Sequence, residues 1–308
     1  MLLKEKYDYV IIGSGFGGSV SALRLAEKGY SVLVIEKGKS FESGDFAKTN
    51  WDLHKWLWIP SLKLFGIQKL NFLRHISALS GVGVGGGSLV YANTLPKPKS
   101  AFFNKGSWEG LADWENELTP HYETAWQMLG AAVNPVFAES DRAMQKLAEQ
   151  IGKLENFAPT TAAIYFGEPD VTVNDPYFND KGPDRTGCIH CGACMTGCRH
   201  NAKNTLDKNY LFLAKQLNTT ILAENKVTSV KPVGEKGADG YEISFRKSTE
   251  YFSSTQKVKA GGVIFAGGVF GTIPLLLKLK STTLPGLSHR IGDMIRTNSE
   301  ALIYTTTS

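Results

Sequence analysis

Two groups of residues in this chain have types and spacings suited to chemistry. The first is Gly13-Ser14-Gly15-Phe16-Gly17-Gly18, which follows directly on the apolar run Tyr9-Val10-Ile11-Ile12. In this G-x-G-x-x-G pattern Gly13 permits a tight turn out of a strand. Gly15 lets the backbone approach a pyrophosphate with no Cβ in the way, and Gly18 lets the following helix pack closely. The helix N-terminus then presents unpaired N–H groups and a positive dipole end to the phosphates. Glu36 closes the next apolar run, where a carboxylate can accept from a ribose diol and repel a 2′-phosphate. Such a half-site recognises an ADP moiety, which NAD and FAD share. The bland alternative is a structural β-turn-α.

The second group is Cys188, Cys191, Cys194 and Cys198, the only four cysteines in 308 residues. Their C-x2-C-x2-C-x3-C spacing is that of bacterial ferredoxins, without the proline that usually follows. Gly192 and Gly197 permit the tight coil needed to wrap four thiolates round one [4Fe–4S] cluster. In two-cluster ferredoxins the fourth cysteine serves the other cluster, and this chain has no second motif. A closed tetrahedral zinc site also uses four thiolates, though the ligands are unusually close in sequence for one. Four reduced thiols on a loop, with no metal, is the third reading. Clustered cysteines argue against a secreted disulfide framework and for a reducing compartment.

The elements that must position these groups are legible nearby. Residues 9–12 and 31–36 read as strands buried on both faces. Residues 19–28 read as the helix between them, stopped by Gly29. Together they make one β-α-β unit. Residues 80–93, SGVGVGGGSLVYAN, are glycine-rich and then apolar and strand-like. Residues 263–268, VIFAGG, lead into a second helix at 271–279, another strand-turn-helix crossover. Thr119 and Pro120 read as N-cap and N1 of a helix over 119–129.

Composition bounds the class. Hydrophobic residues make up 42% and charged residues 20% of the chain, which is globular and excludes disorder. The net charge of +5 has no long basic run behind it, so nucleic acid is not an expected partner. The 32 glycines cluster near 13–18, 81–87 and 261–271, marking three glycine-dependent sites. The N-terminus lacks the features of a signal peptide, and no stretch is long and unbroken enough to be a transmembrane helix. A cytoplasmic location is expected. Trp51, Trp56 and Trp58, interleaved with aliphatic residues and lysines, suit a lid packed on the core. The other reading is a membrane-interface contact that helps admit a lipid-like alcohol. The six histidines are scattered and read as structural.

GVGVGGGSLVYAN together with GSGFGG resembles the glucose-methanol-choline (GMC) family of flavoprotein oxidoreductases, and in particular its cholesterol-oxidase-like branch. DWENELTPHYETAWQMLG (113–130), AKNTLDKNYLFLA (202–214) and RIGDMIRTNSEAL (290–302) extend the resemblance over nearly the whole chain. It implies FAD as cofactor, with Gly13, Gly15, Phe16, Gly17, Gly18, Glu36, Gly87, Tyr91, Ala92, Asn93, Val227 and Gly267 as binding residues. It implies an α/β fold with a discontinuous Rossmann-like FAD-binding domain, 1–95 and 200–290. An inserted, partly helical cap would span 96–199, and an incomplete substrate sheet would start at 291–308. The implied activity is oxidation of an alcohol such as a sterol. A histidine base takes the hydroxyl proton as hydride passes to flavin, and reoxidation is by oxygen or by a carrier. No catalytic residue is expected before Ser308, so the chain reads as the N-terminal part of a longer enzyme. The alternative is an FAD-binding or iron–sulfur electron-transfer module without turnover of its own.

Overall fold

The computed structural model describes residues 3–295. At its centre the Lys6–Ile12 strand runs parallel to Val32–Ile35 on one side and Gln256–Phe265 on the other. Thr220–Leu222 extends the parallel set beyond Val32–Ile35. On the opposite flank Gln256–Phe265 pairs antiparallel with Tyr241–Lys247, which pairs antiparallel with Asn225–Pro232. The result is one six-stranded sheet built from both ends of the chain.

The apolar runs have no polar alternation because both sheet faces are covered. Val10, Ile12, Leu33 and Ile35 pack with Ile243, Phe245 and Leu279 in one cluster. Ile11, Val32 and Val34 point the other way, against Ala22 and Leu23 of the Phe16–Glu27 helix and Leu211 of the Tyr210–Gln216 helix. The Val269–Lys280 helix covers the first face. The first helix ends as its sequence predicts. Lys28 is the C-cap, and Gly29, at φ +82°, donates its N–H to the Ala26 carbonyl.

Two elements differ from their sequence reading. The helix expected from Thr119 has its cap six residues earlier and runs Trp114–Met128, with Asp113 as N-cap accepting from the Asn116 N–H at 3.3 Å. An aspartate cap outcompetes the Thr-Pro signal. Pro120 lies inside the helix, where the Thr119 and Thr124 hydroxyls bond back to the Glu115 and Pro120 carbonyls at 2.6 and 2.9 Å. The stretch after Ser88, expected as a strand, instead turns through a 3-10 segment at Gly86–Leu89. Here successive carbonyls, Gly85 O from Ser88 N and Gly87 O from Val90 N, satisfy the backbone locally.

In the tryptophan-rich segment, Trp58 is buried and Trp56 packs on the cluster of Phe46, Ile67, Leu89 and Val90. Trp51 is 86% exposed. Trp56 therefore belongs to a lid seated on the glycine-rich loop, and Trp58 is buried beside it with its ring against Phe65. Among the described residues no helix is long and apolar enough to cross a membrane. Residues 296–308, where most of the expected start of the substrate sheet falls, lie outside the described residues.

Candidate dinucleotide and flavin site

The first turn is closed by backbone packed on backbone. A Cβ on Gly13 would meet Ala266 O at 2.6 Å and Gly267 Cα at 2.7 Å, and Gly13 also sits at φ +102°. A Cβ on Gly18 would meet Gly13 O at 2.0 Å. By contrast, a Cβ on Gly17 would meet nothing within 4 Å. Gly15 is the extended N-cap residue of the Phe16–Glu27 helix and supplies no side-chain cap, so the first-turn N–H groups are left to a ligand.

Against this turn lies the glycine-rich loop, some 70 residues later in sequence. A Cβ on Gly86 would stand 2.7 Å from Gly15 Cα, so the two loops touch through bare backbone. Ser14 joins them: its Oγ is 2.8 Å from Glu36 Oε2 and accepts from the Gly85 N–H at 3.1 Å. Glu36 is buried, with Oε2 also accepting from the Ser14 N–H at 3.0 Å and Oε1 from the Gly38 N–H at 2.9 Å. The carboxylate expected to face a ribose therefore also fastens the turn, and it keeps unused lone pairs.

Phe16, Gly87 and Tyr91 come together, the two rings edge to face at 5.7 Å and Gly87 beside Phe16. Asn93 is buried at φ +69°, and neither Nδ2 nor Oδ1 has a hydrogen-bond partner of normal geometry. Its amide is near enough to the Cys194 sulfur, a weak acceptor, to oppose the rise that burial gives that thiol's pKa. Ala92 is exposed beside it. Gly267 backs Gly13 and donates its N–H to Thr272 Oγ1 at 3.0 Å. Val227 is elsewhere: its side chain is buried in the sheet core, next to a bulge between Val227 and Ser229.

Two charged residues that sequence reading passed over hold this region together. Lys203 is 2% exposed, and its Nζ donates to the carbonyls of Leu89, Tyr91 and Cys194 at 2.8–2.9 Å. Burial pushes its pKa down to about 7, against the pull of the Cys194 and Cys198 thiols and Asp207. The same ammonium lies 4.9 Å from the Tyr91 ring centroid, and burial raises the Tyr91 phenol. Arg185, 1% exposed, bonds Asn204 Oδ1, Asn201 Oδ1 and the Lys203 carbonyl, fixing the strand of chain that carries the lysine. Neither carries a sequence signal for burial, since Arg185 follows Asp184 and Lys203 lies between Arg199 and Asp207 in a charged, polar stretch.

The four cysteines are free thiols, three half-buried and Cys191 exposed, all lining one cavity of about 330 Å³. Among the described residues no three His, Cys, Asp or Glu side chains gather as a single metal ion requires. The arrangement therefore gives no support to the zinc reading.

The uncapped helix N-terminus and the open space over Gly17 are the features a bound dinucleotide would fill, so the residues present fit FAD. Known proteins agree with this fit. The model of the "FAD dependent oxidoreductase" family matches residues 8–305, and the chain belongs to that family. Its curated relatives narrow this to GMC-like flavoproteins of the cholesterol-oxidase-like branch. A cholesterol oxidase of Acinetobacter baumannii is 46% identical over 96% of this chain and 55% of its own length. One of Mycobacterium tuberculosis is 46% identical over 98% of this chain and 53% of its own. The chain thus spans about half the length of the curated relatives it matches. A solved formate oxidase structure shares the fold, with a TM-score of 0.54 at 16% identity over 89% of this chain and 47% of its own.

Proposed function

We propose that this chain supplies the FAD-holding part of an enzyme that oxidises an alcohol, with a sterol or other lipid-like alcohol as substrate class. The observation that carries the reading is the contact of Gly15 with Gly86, which brings a pyrophosphate-type turn and a flavin-side loop together through bare backbone. FAD, when bound, accepts the hydride equivalent of the alcohol; the protein's part is to orient and tune it. The Gly13–Gly18 turn and the helix N-terminus hold the pyrophosphate, and Glu36 receives the ribose hydroxyls. Gly87, Tyr91, Ala92 and Asn93 line the flavin side, with Lys203 fixing that loop from behind. The same reading divides the chain into an FAD-binding domain, 1–95 and 200–290, an inserted cap, 96–199, and the start of a substrate domain. The 46%-identical cholesterol oxidases support the substrate class. Four free thiols support a reducing compartment. Trp51 at the exposed edge of the lid supports contact with a lipid surface.

The test is to purify the chain with FAD and follow flavin absorbance anaerobically as an alcohol or a sterol is added. Bleaching by the sterol is the expected result for the complete enzyme. Colour without bleaching in that enzyme favours the FAD-binding or iron–sulfur electron-transfer module without turnover.

A further inference from the structure

The proposed dinucleotide site makes no use of the cysteine run, yet the fold gives the run a cavity, bordered by Ala92 and Asn93 of the flavin-side loop. Cys188, Cys191, Cys194 and Cys198 all line the same space of about 330 Å³. The backbone between them coils through left-handed residues, His190 at φ +56°, Gly192 at +72° and Gly197 at +100°. That coil brings side chains ten positions apart to one wall. We propose that this cavity is the seat of an iron–sulfur cluster held by the four thiolates.

Three observations choose this occupant over others. A single zinc ion needs its thiolates about 2.3 Å from one point, hence within about 3.8 Å of each other. The structure shows no such convergence among the described residues, whereas a polynuclear cluster spreads its ligands around a volume. The thiols are also unpaired with one another, and three of them pack on Ala162, Ile164 and Ala202 in an apolar wall. Finally, the cavity already holds donors for an anionic sulfur-rich group. The Asn93 amide, 1% exposed and without a partner of normal geometry, lines it; the Lys203 ammonium also lines it and adds positive charge, its three N–H groups being taken by carbonyls. Hydrogen bonds to cluster sulfurs are one of the means by which proteins tune such centres. The Asp141 carboxylate also lines the cavity, the one acid among its wall residues. Ligation exchanges four S–H bonds for four Fe–S bonds and releases four protons to solvent.

The same lysine couples this seat to the flavin-side loop, since Nζ bonds Leu89 and Tyr91 as well as Cys194. Filling the cavity therefore fixes the lysine's third acceptor and, through it, the loop that lies along the flavin.

The experiment reads iron and sulfide, not turnover, so its failure leaves the flavin reading intact. The chain is purified anaerobically and reconstituted with sulfide and equal amounts of ferrous and ferric iron, which supply the two Fe2+ and two Fe3+ of an oxidised core. Iron, acid-labile sulfide and zinc are then measured, with visible absorption and electron paramagnetic resonance before and after dithionite. The expected result is about four iron and four sulfide per chain with a reducible chromophore. Cys191→Ser, at the exposed ligand, and Cys194→Ser should each lose at least one iron per chain while keeping the far-ultraviolet circular dichroism of the wild type. Substoichiometric iron in a folded wild-type chain, one zinc in its place, or full iron retention in a folded Cys191→Ser would each overturn the proposal.

Discussion

Gly15, Gly17 and Gly18 stand within four residues of each other, and the structure assigns them opposite responses to the same added methyl group. In Gly18→Ala the new Cβ would lie 2.0 Å from the Gly13 carbonyl oxygen. Reaching ordinary contact near 3.4 Å requires the helix to back away from the turn by roughly 1.4 Å. The atom it meets is backbone, which cannot rotate aside. Overpacking of this kind costs about 1–3 kcal/mol, and the rigid neighbour puts this site at the upper end. In Gly17→Ala the Cβ meets nothing, and alanine replaces glycine inside a helix, a gain of up to about 1 kcal/mol. In Gly15→Ala the nearest atom, Gly86 Cα, is 4.0 Å away, so the apo-protein loses only the small N-cap preference of glycine over alanine, about 0.5–1 kcal/mol. Its methyl instead enters the space expected for the pyrophosphate. The assay is urea denaturation of each apo-variant by circular dichroism, followed by FAD titration through flavin fluorescence quenching. The expected order of midpoints is Gly17→Ala, wild type, Gly15→Ala, Gly18→Ala. Gly15→Ala should bind FAD at least about tenfold more weakly, about 1.4 kcal/mol, despite its nearly normal midpoint. A Gly18→Ala midpoint equal to wild type, or unaltered FAD affinity in Gly15→Ala, would refute the division of roles.

Lys203→Met leaves three buried carbonyls without their donor and should cost about 3–5 kcal/mol, read as a lowered denaturation midpoint. The unfolded chain keeps this lysine's proton to the ordinary range near 10.4, the folded chain only to about 7, so folding releases a proton between them. Lys203 thus makes stability rise with pH, by at most about 1.4 kcal/mol per unit. Burial raises the Cys188 and Cys194 pKa values, which reverses the sign above about 9, so the comparison belongs between pH 7 and 8.5, where Lys203→Met should show the flatter slope. Glu36→Gln turns one acceptor of the Ser14 and Gly38 donors into a donor and should cost about 1–3 kcal/mol, with weaker FAD binding by titration. Trp51→Ala should change the midpoint by less than about 0.5 kcal/mol because its ring is in solvent. The same variant should reduce sedimentation with anionic lipid vesicles, and unchanged sedimentation removes the lipid-surface contact.

Features set by neighbours in sequence were legible without the fold. Residues 9–36 announce strand, turn, helix and strand because each signal acts over a few residues: unbroken β-branched runs, three glycines, and Gly29 as the helix stop. The cysteine spacing is visible for the same reason. Where two local signals competed, the sequence misled: Asp113 capped the helix whose start Thr119 and Pro120 had signalled, and the apolar residues after Ser88 turned rather than extended. What only the tertiary structure decided is which distant pieces meet. Gly86 against Gly15, Glu36 shared between ribose-side duty and fastening the turn, and Asn93 at the wall of the cysteine cavity are contacts across tens of residues. Lys203 makes the point most directly. Its sequence context gives a lysine no reason to be buried, and its role exists only because the Leu89 and Tyr91 carbonyls of a remote loop converge with the nearby Cys194 carbonyl on one ammonium group. Spacing along the chain encodes backbone conformation, but desolvation and hydrogen-bond geometry belong to the packed molecule.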